Sequence, residues 1–368
     1  MWPRAGIGRQ SGLKIQWDLF PWRFESARGY QDIFMNLIYF YSIYFFIFFL
    51  VNISFLNYLK KKNIYDLPSE FKSHKVKTPK GSGVGVTLFI IFSLITYDIF
   101  FDVEIENFNI PRFYVLIMGL VILFIISIYD DYLGINPFIR LFIQLTICFL
   151  SLSSLPINLW GYMNSFIAFS KLNWLIIIYF WIFIVNLTNF FDGVDFLITI
   201  KIFFVSFAYL IIGINENDNL ITNISLILVL SSILLGYFNL YPAKFFFGDS
   251  GSIPIGFLLG WIFIYLFQKG FLIELLIINT VHFFDIIITE IKKLSKFQNI
   301  FIRHRDFIFQ KVYDRSYNKK KFYYKYLFVY LILFILFFIS YSSEFKIKLV
   351  CLGISIILII IFSNASKK

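Results

Sequence analysis

Three short stretches place carboxylates and amides where the surrounding sequence is apolar: "IYDDYLG" at 128–134, "NLTNFFDGVDFL" at 186–197 and "FFFGDSGS" at 245–252. Asp130 and Asp131 are adjacent, so on a helix they point about 100° apart. They cannot form a double ligand on one face; one can approach a metal while the other approaches a substrate. A span end resting in headgroup water would explain the pair equally well. Arg140 and Gln144 follow at i and i+4, a cation and an amide on one face, which suits a phosphate. In the second stretch, Asn186, Asn189, Asp192 and Asp195 recur every third residue, and Gly193 predicts a break after Asp192. Amides that donate and accept, beside carboxylates that only accept, suit a nucleobase and ribose; the alternative is polar capping of two helix ends. Asp249 sits between Gly248 and Ser250-Gly251-Ser252 just before an apolar run, an arrangement suited to phosphate or a metal-bound anion. Gly256 and Gly260 behind it have the spacing of close helix packing. A fourth segment, "SHKVKTPKGSGVGV" at 73–86, is either an ordinary basic loop or a flap whose His74, Lys75, Lys77 or Lys80 contacts phosphates.

Separated carboxylates and cations together suggest Mg²⁺-assisted phosphoryl chemistry, because Mg²⁺ commonly bridges one or two carboxylates to substrate phosphates. Ion-coupled transport also uses intramembrane acids, but near the midplane and within repeats. No repeat is visible here, and the acids fall at the ends of apolar runs.

Those runs must position the acids. Mean hydropathy is +0.77 and only 15% of residues are charged, and stretches long enough to cross a bilayer (about 20 helical residues) recur along the chain. The reading is an all-α polytopic membrane protein with about 11 transmembrane helices in one bundle, at roughly 35–58, 83–100, 112–129, 137–155, 173–188, 194–213, 219–240, 253–267, 271–288, 323–341 and 346–363. Lysines and arginines concentrate after the first span (Lys60–Lys62, Lys72–Lys80) and after the ninth (Lys292–Lys321), and are nearly absent from the alternate connections. By the positive-inside rule, loops after odd-numbered spans are cytoplasmic. The acidic stretches, and "IRHRDFIFQ" at 302–310, then share the cytoplasmic face. The net charge of +11 belongs to these loops and to anionic headgroups, not to nucleic acid. Cys148 and Cys351 lie inside apolar runs and only three histidines exist, which excludes a disulfide framework and a histidine-rich metal centre. Residues 1–34 read as an N-terminal extension, with the natural start at Met35 and a single transmembrane domain over 35–368.

With these motifs in hand, the chain resembles the polyprenyl-phosphate N-acetylhexosamine-1-phosphate transferases, which include the phospho-MurNAc-pentapeptide and GlcNAc-1-phosphate transferases. The resemblance runs from about 58 to 315. It rests on Asp66, Pro68, His74, Thr78, Pro79, Gly81 and Gly83 in the first loop, on the Asp130-Asp131 segment, on "NLTNFFDGVDF" and on "FFGDSGS". It implies transfer of a sugar-1-phosphate from a UDP-sugar to undecaprenyl phosphate, with release of UMP, at the inner membrane of a bacterium with the site facing the cytoplasm. Mg²⁺, with Mn²⁺ able to replace it, would be the cofactor, and a homodimer is compatible. By position in the motifs, Asp130, Asp131 and Asp249 would be catalytic. Asp249 would hold the metal with Asp130 as the further candidate, and one of Asp130 and Asp131 would deprotonate the lipid phosphate. Asn186, Asn189, Asp192, Gly193 and Asp195 would line the nucleotide side. Phosphate contacts would come from His74, Lys75, Lys77, Arg140, Arg303, His304 and Arg305. Departures are Phe196 for the second glycine of the D-G-x-D-G pattern, Ser82 in the first loop, and Phe307 and Phe309 where many members carry His-x-His. The last loop looks closer to the subgroup that initiates O-antigen. The rival readings are a lipid-linked-glycan transporter and a non-catalytic homologue.

Overall fold

The computed structural model describes residues 27–66, 76–101, 110–155, 170–297 and 306–364. The expectations placed on His74, Lys75, Arg303, His304 and Arg305, and on Pro68 and Lys72, lie outside the described residues. Twelve α-helices appear among the described residues: α1 Ala27–Lys61, α2 Ser82–Phe101, α3 Ile110–Leu133, α4 Pro137–Ser151, α5 Ser170–Phe191, α6 Leu197–Asn215, α7 Asn219–Asn239, α8 Asp249–Gln268, α9 Leu272–Leu294, α10 Ile308–Arg315, α11 Lys319–Tyr341 and α12 Phe345–Asn364. All but α10 are long and apolar enough to cross a membrane, α4 together with the short turn that continues it to Ser154, which gives eleven candidate spans. The chain is therefore an all-helical multi-pass membrane protein, as its hydropathy predicts; no strand occurs among the described residues, only isolated bridges. The expected spans agree to within about six residues, with α8 starting earlier, at Asp249, and α9 running on to Leu294. Helix α1 begins at Ala27, ahead of Met35.

Two compact units divide at Phe40 and Tyr41. Within the larger one, α8 is the central helix: 89% of its apolar window is buried, against 17% for α12. It packs on α5, α3 and α2, while α6 pairs with α7. Small residues let α8 and α5 approach closely. A Cβ on Gly256 would meet the Val185 Cα at 2.9 Å, and one on Gly260 would meet the Trp181 ring at 2.6 Å. Trp181 itself stacks on Phe257 and donates from Nε1 to the Phe257 carbonyl at 2.9 Å. The Gly256–Gly260 spacing is thus a packing feature, and its consequence is to seat the end of α5 beside the start of α8.

Connectivity then dictates where the polar stretches meet. Helices α3, α5 and α7 end, and α2, α4, α6 and α8 begin, at the same end of the larger unit. Side chains that lie far apart in sequence converge there.

Candidate active site

The loop before α2 supplies one wall. Residues 79–83 run beside 246–247, with Phe246 N–H donating to the Pro79 carbonyl (2.9 Å), Gly81 and Ser82 N–H to the Phe246 carbonyl (2.9 Å each), and Gly83 N–H to the Phe247 carbonyl (3.0 Å). Gly83 is required by this approach, since its Cβ would sit 2.4 Å from the Gly251 nitrogen. Ser82 departs from the family's glycine without loss: it is buried, and its hydroxyl donates to the Phe246 carbonyl at 3.1 Å.

This pairing carries Lys80 into the carboxylate cluster. Its ammonium lies 2.7 Å from Asp131 Oδ1 and 3.8 Å from Asp249 Oδ1. Burial alone would lower the Lys80 pKa, but Asp131, Asp249 and Asp192 outweigh it and hold the group above the ordinary lysine range. Arg140, from the first turn of α4, places one guanidinium nitrogen 2.9 Å from Asp130 Oδ2 and 2.8 Å from Asp249 Oδ2. Two cations thus hold three carboxylates.

The adjacent aspartates divide their work, as their angular separation on a helix requires. Asp131 accepts from the Asp249 and Ser250 N–H groups, both at 2.9 Å, and so caps α8. Asp130 accepts from Ile135 N–H at 2.6 Å and faces Asp249 through Arg140. Side-chain exposure follows this division: 3% for Asp131, 8% for Asp130 and 18% for Asp249. The reading of the α8 start as a free anion site needs correction. Its N–H groups are taken by Asp131, and Gly248 N–H by Asp192 Oδ2 at 3.0 Å. The physical reason is that open N–H groups at a helix start attract whichever anion is nearest, and here a carboxylate is built in.

The "NLTNFFDGVDF" stretch forms the opposite wall. Helix α5 ends at Phe191 and a turn over 192–196 leads into α6. Asp192 lies at the carboxylate cluster as well as in the turn. Burial pushes its carboxyl above the usual range, Asp249 and Asp131 add to that, and Gly248 N–H and Lys80 work against it. Asp195 Oδ2 accepts from Ala243 N–H at 3.0 Å, and burial raises its pKa as well. Asn189 donates to Ser252 Oγ at 3.1 Å. Asn186 points instead to Gln144 Oε1 at 2.9 Å, so Gln144 does not join Arg140 at the cluster. Lys77 stands over the Tyr65 ring at 5.1 Å; of the described flap lysines it is Lys80 that reaches the carboxylates, and nothing in its sequence neighbourhood singled it out.

The left-handed residue of the turn is Phe196 at φ +62°, not Gly193. Its N–H donates to Asn239 Oδ1 at 2.6 Å, and its ring meets Tyr323 edge-on at 6.4 Å. A glycine fits that backbone freely, whereas a side chain is strained by roughly 1 kcal/mol. Phe196→Gly should therefore be more stable than Phe196→Ala by about 1 kcal/mol in detergent thermal unfolding, since both lose the ring and only alanine keeps the strain. Equal midpoints would contradict the strain.

Beside this turn, Phe307 stacks on Phe190 (5.4 Å) and Phe309 on Phe191 (4.3 Å), with Phe307 parallel to Phe309 at 5.8 Å. The two phenylalanines that replace the histidines are a packing unit. Asp285 of α9 seats them by accepting from Ile308 N–H at 2.7 Å and Phe309 N–H at 2.8 Å. Gln310 follows: its Nε2 would be 3.3 Å from a Cβ on Gly193, and its Oε1 is buried with no hydrogen-bond partner among the described residues.

Among the described residues no group of three or more His, Cys, Asp or Glu side chains forms a ready metal cage. The set still fits Mg²⁺, which needs only one or two carboxylates beside substrate phosphates and water. Asp249 and Asp130 already converge on a single guanidinium nitrogen, so these two carboxylates are the ones that would hold the cation.

Residues 113–267 match the family model for glycosyl transferase family 4. The chain is 28% identical over 261 residues to phospho-N-acetylmuramoyl-pentapeptide-transferase of Streptococcus sanguinis, covering 63% of this chain and 73% of that protein. It is 29% identical over 275 residues to the enzyme of the same name from Dictyoglomus turgidum, covering 73% and 83%. A probable undecaprenyl-phosphate N-acetylglucosaminyl 1-phosphate transferase of Bacillus subtilis is 22% identical over 202 residues, 52% of each chain. The matched region contains the Asp130-Asp131 pair, the 186–197 stretch and Asp249, so it is over the carboxylate cluster itself that the chain is similar to glycosyl transferase family 4.

Proposed function

We propose that this protein transfers a sugar-1-phosphate, an N-acetylhexosamine or deoxy-N-acetylhexosamine, from a UDP-sugar to undecaprenyl phosphate, releasing UMP and starting a lipid-linked envelope glycan such as O-antigen. The observation that carries the reading is the convergence of Asp130, Asp131, Asp192 and Asp249 with Lys80 and Arg140 at one end of the spans. Basic residues close α1 (Lys60, Lys61) and α9 (Lys292, Lys293) on the connections leading to that end, which supports a cytoplasmic site in a bacterial inner membrane.

In the proposed step an oxygen of the lipid phosphate attacks the sugar-bearing phosphorus. The bond from that phosphorus to the bridging oxygen breaks, and the electron pair leaves with UMP. Positioning and charge neutralisation suffice for such a transfer. Mg²⁺ held by Asp249 and Asp130 would neutralise phosphate charge. Lys80 and Arg140 would exchange their carboxylate partners for phosphate oxygens, which would leave Asp130 and Asp249 free to hold the cation. Asn189, Asp192, Gly193 and Asp195, anchored on the 239–252 segment, would face the nucleoside. The test is UMP release by membranes supplied with undecaprenyl phosphate and a panel of UDP-sugars; a lipid-linked product from at least one sugar is expected, and none from any would reject the reading.

The stacked Phe307 and Phe309 favour a second reading, a homologue that binds the nucleotide sugar without turning it over. UDP-sugar binding with no UMP release identifies it.

A further inference from the structure

Outside the carboxylate cluster, the most unusual group is Lys201. It lies one turn into α6 inside the apolar core, with 1% exposure. An ionisable side chain at such depth in a membrane protein is costly and rare. Among the described residues no carboxylate pairs with it. Its Nζ donates to Thr188 Oγ1 at 2.8 Å and stands 5.7 Å from the centre of the Phe191 ring. His282 lies on the same side, meeting the Phe191 ring edge-on at 4.3 Å and bonded through Nε2 to the Tyr330 hydroxyl at 2.6 Å.

Both contacts of Lys201 fall on the last turn of α5, on either side of Asn189 and just before Asp192. Helix α5 packs chiefly on α8 and α6 chiefly on α7, and the two touch each other little. The turn over 192–196 therefore joins two helices that belong to different packing partners. Its own bonds, from Asp192, Asp195 and Phe196, run to the 239–248 segment and do not fix the angle between α5 and α6. The Lys201–Thr188 bond does cross that seam. A buried Thr–Lys bond is also directional, whereas apolar contact would allow sliding.

We infer that Lys201 is a positioning residue: it staples the last turn of α5 to the first turns of α6 and so holds Asn189 and Asp192 in the geometry seen in the site. The inference deepens the transferase reading, since it concerns the wall assigned to the nucleotide, but its physical content is the rigidity of residues 189–196.

The experiment compares wild type, Lys201→Met, Thr188→Val and the double variant in detergent. Amide hydrogen exchange of residues 189–196 is the main readout, with thermal midpoint and UMP binding alongside. Methionine fills the volume without a donor, and valine keeps the shape of threonine. Each single variant should speed exchange of 189–196 by about fivefold, the effect of one lost hydrogen bond. The thermal midpoint should be unchanged or raised in Lys201→Met, because an apolar side chain suits that depth, and lowered in Thr188→Val, which leaves the buried ammonium without its acceptor. The double variant should be no worse than either single one, and UMP binding should weaken by roughly tenfold. Unchanged exchange at 189–196, or acceleration spread evenly along α6, overturns the staple. If Lys201→Met does not fold, Thr188→Val removes the same bond from the other side. Faster exchange in the variants of a wild type that binds no UMP would sink the transferase reading and leave the staple standing.

Discussion

Asp249→Asn should abolish UMP release, by about 10³-fold or more, while leaving the fold intact. Asp249 is the most open of Asp130, Asp131 and Asp249, and its oxygens face Arg140 and Lys80. Asparagine keeps its size and its place at the head of α8, but cannot supply an anionic oxygen to Mg²⁺. Binding of Mn²⁺, followed by electron paramagnetic resonance, should fall in parallel. Asp131→Asn provides the contrast. That carboxylate receives two backbone N–H groups of α8, and an amide offers one oxygen where two are needed. Its loss should cost about 1–2 kcal/mol of stability, the price of a helix cap, and activity should decline because α8 and Asp249 shift with it. Undiminished UMP release by Asp249→Asn would remove Asp249 as the metal ligand.

Arg140→Gln is the second variant with a large expected effect, and its signature is two-sided. The guanidinium now bridges Asp130 and Asp249, so any divalent cation must displace it before binding. Removing it should tighten Mn²⁺ binding by several-fold in the absence of nucleotide, because the two carboxylates lose their competing cation. At the same time kcat/KM should fall by about 10²-fold, because the same group no longer neutralises the transferring phosphate. In wild type, UMP should strengthen Mn²⁺ binding by drawing Arg140 and Lys80 onto its phosphate, and Mn²⁺ must strengthen UMP binding by the same factor. That mutual effect should shrink in Arg140→Gln. Weaker Mn²⁺ binding in the variant without nucleotide would show that Arg140 supports the metal site instead of guarding it.

Much of this protein was legible in its sequence, for a plain reason. Bilayer thickness imposes a length on apolar helices, and eleven runs of that length announce themselves whatever they pack against. Alternation along those spans also placed Asp130, Asp192 and Asp249 at one end, since every second connection returns there. The pairing of Asp131 with α8, the bonding of Asn186 to Gln144 and the entry of Lys80 depend on contacts across 42 positions of chain (Gln144 to Asn186) to 169 (Lys80 to Asp249), a range over which no local pattern speaks.

The sequence by itself determined that the chain crosses the membrane repeatedly, that its acids gather at span ends, and that Asp249 stands at a helix start. Only the tertiary structure decided which acid caps, which stays open and which cation holds them, because those roles follow from distances between helices. It also explained Phe196, Phe307 and Phe309. As substitutions in a motif they have no meaning, but folded they are a left-handed turn residue and a four-ring stack. Lys201 shows the same division most clearly. In sequence it is a lone charge in an apolar run, and only the approach of Thr188 and Phe191 gives it a task.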